Sequence, residues 1–272
     1  MPEGPEIRLA ADEIATVLVG QRIEDAFLAL PRLRRQRKGV VGASVTAVDT
    51  RGKAMLTRFD SSLTLYSHNQ LYGRWYVTDS GDEPETSRSL RVALHTSKGS
   101  AWLYSASDIE LLTEHGLARH PFLSRIGPDV LDDDLSAADI VARLEDARFA
   151  RRALSALYLD QAFLAGIGNY LRSEILFCAR IDPARRPVDL AGRERQRLAM
   201  ESLRISRRSY KTRGLTVPRD VARQLRAEGV DYREYRFWVF RREGEPCRRC
   251  GGPVSRSSAG SRGLFICGVC QT

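Results

Sequence analysis

The sequence lacks any apolar run that approaches the roughly 18 residues needed to cross a membrane. It also lacks the basic start of an export signal, because its first residues carry Glu3 and Glu6 where such a signal carries lysine or arginine. Internal repeats and low-complexity tracts are absent too, which argues against a repeat or fibrous protein. We therefore expect a globular, cytoplasmic protein with no membrane partner.

Cysteine is scarce, and its placement predicts a metal site. Four of the five cysteines form two pairs, Cys247-Arg-Arg-Cys250 and Cys267-Gly-Val-Cys270, with sixteen residues between them. This spacing is typical of a tetrahedral zinc site, and four protein ligands leave no open position for catalysis. The alternatives are a redox dithiol, which needs one CxxC in a βαβ context, and a chance arrangement of four cysteines. We expect one structural zinc ion, with Cys178 left over as a small buried hydrophobic residue.

Lysine is rare, with four lysines against 39 arginines, yet the chain has a net charge of +9. Residues 204–262 contain 16 basic and 6 acidic residues, whereas the other 27 bases and 28 acids nearly cancel. One region thus carries the positive excess, as in proteins that contact the phosphate backbone of DNA or RNA. A solvated basic face is the alternative explanation for such a stretch.

Periodicity divides the chain into a sheet-rich part and a helical part. Apolar residues at three- and four-residue spacing predict a helix over 4–20, and alternating apolar blocks at 63–65, 90–94 and 101–104 predict strands. A capping box at Ser136 then marks the start of the helical part. Helical patterns follow at 136–147, 151–164, 170–180 and 189–207.

These patterns predict an α+β protein of two domains, which 272 residues with 43% hydrophobic content can support. We expect a sheet-rich domain with a leading helix at 1–120 and a proline- and acid-rich linker at 121–134. A helical domain is expected at 135–235, and the cysteine-containing finger at 236–272.

A glycine-containing turn interrupts the helical pattern at Gly166-Ile167-Gly168-Asn169. Glycine permits close backbone approach, and the start of the next helix offers unpaired N–H groups to an anion. Asn169 adds a side-chain donor. Although most such turns are only tight turns, the basic segment and finger that follow favour a clamp on a nucleic-acid backbone. Arg262, just before the second cysteine pair, is a candidate phosphate ligand or an exposed surface arginine.

The N-terminus carries groups that are suited to covalent chemistry. Removal of Met1 would expose Pro2 as a secondary amine, and α-amino groups have pKa values near ~8, so part of the population could attack a carbonyl carbon. Glu3 and Glu6 lie beside this amine, and Lys53 lies in a turn before an apolar strand, where lysine can donate a proton and arginine cannot. The alternatives are structural: proline at a helix start and carboxylates at a helix N-terminus.

Five segments, taken in chain order, resemble the formamidopyrimidine-DNA glycosylase/endonuclease VIII family: Pro2-Glu3-Gly4-Pro5-Glu6, Arg51-Gly52-Lys53, Ser67-His68-Asn69-Gln70-Leu71-Tyr72-Gly73, Gly166-Ile167-Gly168-Asn169-Tyr170 and the four-cysteine finger. The PEGPE start and the Gln-Leu-Tyr loop resemble the bacterial endonuclease VIII branch, since the other branch usually begins PELPE. The resemblance implies an N-terminal β-sandwich, a helix-two-turn-helix domain and a zinc finger.

The resemblance also implies a mechanism and the residues that perform it. Pro2 would attack C1′ of a nucleotide flipped out of duplex DNA, and β,δ-elimination would follow from the Schiff base. Glu3 would transfer a proton to the sugar oxygen, Lys53 would act as a second acid or phosphate contact, and Glu6 would support them. Two further groups of residues would contact DNA: Gln70, Leu71 and Tyr72 as void fillers, and Asn169 and Arg262 at the phosphates.

The sequence therefore predicts a monomeric bacterial base-excision repair enzyme, a DNA glycosylase with abasic-site lyase activity. Its expected partner is double-stranded DNA that carries oxidised pyrimidines or abasic sites, which would associate it with the nucleoid. An enzyme for oxidised purines, such as formamidopyrimidine and 8-oxoguanine, is the alternative within the family. A DNA- or RNA-binding protein without catalytic turnover is the alternative outside it.

Overall fold

The computed structural model describes residues 2–79, 81–259 and 262–272. Contacts between Cα atoms divide the chain into two units, Met1–Ile126 and Gly127–Thr272. The division falls inside the proline- and acid-rich stretch at 121–134. Within the described ranges, none of the helices has the length and apolar composition that crossing a bilayer requires.

The N-terminal unit consists of two antiparallel sheets and a leading helix, α1 (Gly4–Leu18). Helix α1 is amphipathic, and it buries Ile7, Ile14 and Leu18 against side chains from both sheets in one core. One sheet has the spatial order β1 (Asp25–Leu28), β6 (Leu90–Thr96), β7 (Gly99–Tyr104), β5 (Arg74–Thr78). The other has the order β2 (Val45–Arg51), β3 (Ala54–Phe59), β4 (Leu63–His68), β8 (Asp108–Thr113). Short helices complete the unit: α2 (Pro31–Arg34), a 3-10 helix (Arg37–Gly39) and α3 (Glu114–Arg119).

The C-terminal unit is helical and ends in a β-hairpin. Helix α6 (Asn169–Cys178), in which every residue from Tyr170 onward is buried, packs against α7 (Gly192–Lys211) and the hairpin. The other helices of the unit are α4 (Ala137–Glu145), α5 (Leu154–Leu157), a 3-10 helix (Pro187–Asp189), α8 (Arg219–Ala227) and α9 (Tyr232–Tyr235). The hairpin pairs β9 (Val254–Ala259) with β10 (Arg262–Cys267), and its apolar side chains join the helical core.

These elements confirm the predicted α+β fold, the leading helix and the capping box at Ser136. Cys178 is buried, as expected. The helix predicted over 151–164 is wrong, because only Leu154–Leu157 is helical there. The Asp160 carboxylate accepts a hydrogen bond from the backbone N–H of Ala162 at 2.8 Å and forms an ion pair with Arg152. The hydrogen bond to a nearby backbone N–H favours turns over a continued helix.

Candidate functional site

The start of α1 holds three of the predicted catalytic residues. Glu3 is the N-cap, and its side chain accepts the backbone N–H of Glu6, while Glu6 Oε2 accepts the N–H of Glu3 at 3.0 Å. This reciprocal pair is a capping box, which fixes the backbone immediately after Pro2. Pro2 itself is partly exposed, whereas Glu3 is only 3% exposed. A partly exposed proline therefore sits beside a buried carboxylate.

Lys53 lies in the turn between β2 and β3 and is 6% exposed. The C-terminal end of α1 meets the start of β2, where Gly20 N donates to Val45 O at 2.8 Å, and the two elements pack along each other. Helix α1 also packs against β3, the strand that follows the turn of Lys53.

The loop at 69–73, which follows β4, exposes two large apolar side chains. Leu71 is 61% exposed and Tyr72 is 70% exposed. Gly73 N donates to Asn69 O at 2.7 Å to close the loop, and a Cβ on Gly73 would lie 2.6 Å from that same oxygen. Only glycine fits there, so the closed conformation of the 69–73 loop depends on it.

Side chains from outside the 69–73 loop hold it in this conformation. Gln70 adopts a left-handed backbone with φ of 50°, and its Oε1 accepts a hydrogen bond from Ser107 Oγ at 2.9 Å. Arg88 donates to the carbonyl of Tyr72 at 2.6 Å. The apolar tip is thus presented to solvent by a fixed backbone, which lowers the entropy lost when the tip inserts into a partner.

His68, at the end of β4, is hydrogen-bonded to the 69–73 loop and lies within electrostatic range of Lys53. Its Nδ1 accepts the backbone N–H of Gln70 at 3.1 Å, and a ring nitrogen accepts only when it is unprotonated. Burial lowers the pKa of His68; the charge of Lys53 lowers it further, and Asp108 opposes both. The neutral imidazole that the hydrogen bond requires is therefore favoured.

In the C-terminal unit, the glycine-containing turn leads directly into α6. Gly166 has φ of 92°, and its N–H donates to the Gln161 side chain at 3.1 Å. Asn169, the first residue of α6, donates from Nδ2 to the carbonyl of Gly263 at 2.9 Å, and its Oδ1 accepts from Arg172 at 2.6 Å. Because Gly263 follows Arg262, these contacts bring the two predicted phosphate ligands together.

Asn169 retains binding capacity in this arrangement. A side-chain amide nitrogen carries two hydrogens, and the contact with Gly263 uses one of them. Arg262 is exposed at the start of β10. An anion that approaches this edge of the unit therefore meets an amide N–H and a guanidinium.

The four paired cysteines converge at the base of the β9–β10 hairpin. Their sulfur atoms lie within 4.8 Å of one another, with Cys247 to Cys270 at 3.9 Å and Cys250 to Cys267 at 3.4 Å. A tetrahedral ion with metal–sulfur bonds of about 2.3 Å requires sulfur separations of about 3.8 Å. The residues fit a four-coordinate metal site, and that site fixes the hairpin that carries Arg262.

Two buried charged residues of α6 were not identified from the sequence. Arg172 is fully buried and donates to Ser155 O at 2.7 Å as well as to Asn169. Glu174 is also fully buried; it accepts the Thr216 hydroxyl and three consecutive backbone N–H groups, at 2.8 Å from Trp238 and 2.9 Å from each of the next two residues. Burial raises the pKa of Glu174, and these donors oppose the rise.

Both residues connect α6 to the hairpin region, Arg172 through Asn169 and Gly263, and Glu174 through the backbone before Cys247. A signal for them is present in the sequence. Arg172 and Glu174 lie between apolar residues on both sides, Tyr170-Leu171 and Ile175–Cys178, and charged residues in such a helix are buried only with partners.

Three family models match this chain. They are the formamidopyrimidine-DNA glycosylase N-terminal domain at residues 1–107, the formamidopyrimidine-DNA glycosylase H2TH domain at 126–220, and the zinc finger found in FPG and IleRS at 244–272. Proteins named Endonuclease 8 are similar over their full length. Those of Enterobacter sp. (strain 638) and Escherichia coli O6:K15:H31 (strain 536 / UPEC) are 48% and 47% identical over 271 residues, with 100% of each chain covered.

Solved structures share the fold at lower identity. The complex between Lactococcus lactis Fpg and DNA containing an abasic site has a TM-score of 0.80 at 21% identity, with 99% of each chain covered. The complex of the same wild-type protein with DNA containing an oxidised pyrimidine gives the same values.

Cys250→Ser is expected to remove the bound metal, because a hydroxyl is a poor substitute for one of four thiolate ligands. The variant should contain much less metal per chain by elemental analysis and should unfold at a lower temperature by calorimetry. Cys178→Ala serves as the control, since Cys178 is buried away from the cluster and should leave the metal content unchanged. Full metal content in Cys250→Ser would contradict the four-cysteine site.

Proposed function

This chain belongs to the formamidopyrimidine-DNA glycosylase family, and we propose that it uses Pro2 as the nucleophile that releases oxidised pyrimidines from duplex DNA. Members of the family are DNA glycosylases with abasic-site lyase activity in base-excision repair, and the chain has both activities. The observations that support the assignment of the nucleophile are the position of Pro2 at the start of α1, its partial exposure and the buried Glu3 beside it.

The reaction begins with the Pro2 amine, after Met1 has been removed. The amine nitrogen forms a bond to C1′ of the damaged nucleotide, the bond from C1′ to the base breaks, and the base leaves with that electron pair and takes up a proton. Opening of the sugar ring then gives an iminium ion. Because a secondary amine has no second N–H to lose, the adduct keeps its positive charge and withdraws electrons from C2′. Loss of a C2′ proton expels the 3′ phosphate, and a second elimination expels the 5′ phosphate.

The neighbouring residues supply protons and position the amine. Glu3, which is almost fully buried, delivers a proton to the ring oxygen as the sugar opens. Lys53 acts as a second acid or contacts the phosphate beside the lesion. Glu6 supports the site through the capping box with Glu3, which keeps the chain end in place.

Five residues contact the DNA in this proposal. Gln70, Leu71 and Tyr72 fill the space that a flipped nucleotide leaves, since unstacking costs a few kcal/mol that an inserted apolar group partly offsets. Asn169 and Arg262 bind the phosphates at the lesion.

The metal is one zinc ion, held by Cys247, Cys250, Cys267 and Cys270, which keeps the hairpin of Arg262 folded. In this assignment 1–120 is the catalytic domain, 121–134 the linker, 135–235 the helix-two-turn-helix domain and 236–272 the finger.

The preference for oxidised pyrimidines rests on the full-length similarity to proteins named Endonuclease 8. An oxidised-purine glycosylase would share the amine chemistry and differ in the base that it accepts. A non-catalytic DNA-binding protein would retain Asn169, Arg262 and the finger without a use for Pro2. We place the enzyme in the bacterial cytoplasm, associated with the nucleoid through its affinity for DNA.

The nucleophile is tested by blocking it without changing any side chain. One additional residue that cannot be processed off, placed before Pro2, converts the amine into an amide. Borohydride should crosslink the unblocked enzyme to duplexes that contain thymine glycol, 5-hydroxycytosine or an abasic site, and the blocked enzyme should give no crosslink. Equal binding of both forms to an undamaged duplex is the control for folding.

The outcomes of this experiment separate the alternatives. Crosslinking of the blocked form would rule out Pro2 as the nucleophile, and failure of both forms would favour the non-catalytic protein. If 8-oxoguanine opposite cytosine were by far the best substrate, the pyrimidine preference would be wrong and the amine chemistry would stand.

Leu71→Ala is expected to slow base removal much more than strand cleavage at an abasic site. Shortening the tip reduces the apolar area that replaces the flipped nucleotide, and a site without a base needs no such replacement. Single-turnover rates on a paired thymine glycol duplex and on an abasic duplex give the comparison. Val269→Ala serves as the control, because Val269 is a similarly exposed apolar residue of the finger. Equal rate losses on both substrates would contradict a void-filling role.

A further inference from the structure

The N-terminal unit has a net charge near zero, yet it carries a local cluster of positive charge. Its 16 basic and 15 acidic residues nearly cancel, yet residues 26–48 include five bases and no acid. All five lie at positions 32–38, in α2, in the 3-10 helix that follows or between the two: Arg32, Arg34, Arg35, Arg37 and Lys38. We call residues 32–38 the basic turn.

Arg32, Arg34 and Arg37 fix the backbone of the basic turn through hydrogen bonds to carbonyl groups of other segments. Arg34 Nε donates to Leu28 O at 3.2 Å, and Arg37 Nε donates to Ala26 O at 2.8 Å. Both carbonyls belong to β1, an edge strand of its sheet, so the guanidinium groups cover backbone acceptors that would otherwise be open. Leu33 and Val40 are 1% exposed and anchor the same segment in the core.

The other two cations point to solvent. Arg35 and Lys38 are exposed, and neither side chain makes a hydrogen bond or ion pair with any residue in the described ranges. Because the backbone beneath them is already fixed, an anion that binds them has to order only the two side chains.

The basic turn lies next to the 69–73 loop. Arg32 Nη2 donates to the carbonyls of Ser107 and Ile109, at 3.3 Å and 3.0 Å, and Ser107 Oγ donates to Gln70 Oε1 at 2.9 Å. Ser107 therefore touches both the basic turn and the loop with the exposed Leu71 and Tyr72. If that loop enters the base stack, phosphates on either side of the insertion pass close to the basic turn.

We propose that Arg35 and Lys38 form a second phosphate-binding surface, which holds the DNA backbone beside the inserted 69–73 loop. This inference rests on the proposed function, in which the loop enters duplex DNA. It adds a contact on the N-terminal unit to the phosphate contacts proposed for Asn169 and Arg262. The surface supports affinity and register and does not touch the reacting atoms.

The double variant Arg35→Ala/Lys38→Ala of the full chain tests the surface. Binding to a duplex with a tetrahydrofuran abasic-site analogue is measured between 50 and 200 mM salt, concentrations at which phosphate contacts dominate the salt dependence. The slope of log K against log salt should become shallower by up to about 1.8, or roughly 0.9 for each lost contact. The single-turnover rate on bound thymine glycol DNA should remain unchanged.

The control is Lys98→Ala/Arg119→Ala, which removes the same charge from exposed positions outside the basic turn. An unchanged slope in the Arg35/Lys38 variant, or an equal decrease in the control, would overturn the surface. A wild-type chain without affinity for the duplex would overturn the proposed function as well, so the two failures are distinguishable. A charge-preserving variant, Arg35→Lys/Lys38→Arg, should retain most of the wild-type slope.

Discussion

The buried hydrogen bonds of α6 are the constraint on which the proposed phosphate-binding site at Asn169 and Arg262 depends. Arg172 and Glu174 are buried in this helix, and each satisfies its charge through hydrogen-bond partners. Arg172 donates to Asn169 in the same helix and to Gly263, and Glu174 accepts from the backbone at 238–240, so the helix is joined to segments far away in sequence. The four-cysteine cluster lies at the base of the hairpin, and the contacts of α6 determine where that hairpin lies within its unit. Because a buried charge tolerates few arrangements, the position of Arg262 is strongly specified.

The proposed catalytic site at the start of α1 depends instead on one local motif that has two uses. The capping box of Glu3 and Glu6 is an ordinary way to begin a helix, and it also places a carboxylate beside the chain end. The proposed chemistry needs a free amine at that position, so the nucleophile cannot be displaced from the helix start without loss of both functions. The structural and catalytic explanations of Glu3 and Glu6 are alternatives when only the sequence is considered. They are compatible in the structure, because one capping box can serve both roles.

Local patterns in the sequence predicted most of the fold, and long-range contacts account for what they missed. The helix at the N-terminus, the strands and the cysteine cluster follow from periodicity and spacing. The helix expected over 151–164 is mostly turns, since the Asp160 side chain competes for backbone N–H groups. Bonds between Asn169 and Gly263, or Ser107 and Gln70, join residues 94 and 37 positions apart, which periodicity does not detect.

Because the chain has few lysines, the assignment of Pro2 as the nucleophile can be tested directly. Only four lysines and the chain end carry amines that can form a Schiff base. Borohydride reduction during turnover, followed by proteolysis and tandem mass spectrometry, locates the sugar adduct on one of these five groups. If Pro2 is the nucleophile, the adduct is found on the nitrogen of Pro2, in a peptide that begins without Met1. An adduct on Lys53 or another lysine, with the Pro2 peptide unmodified, would contradict it.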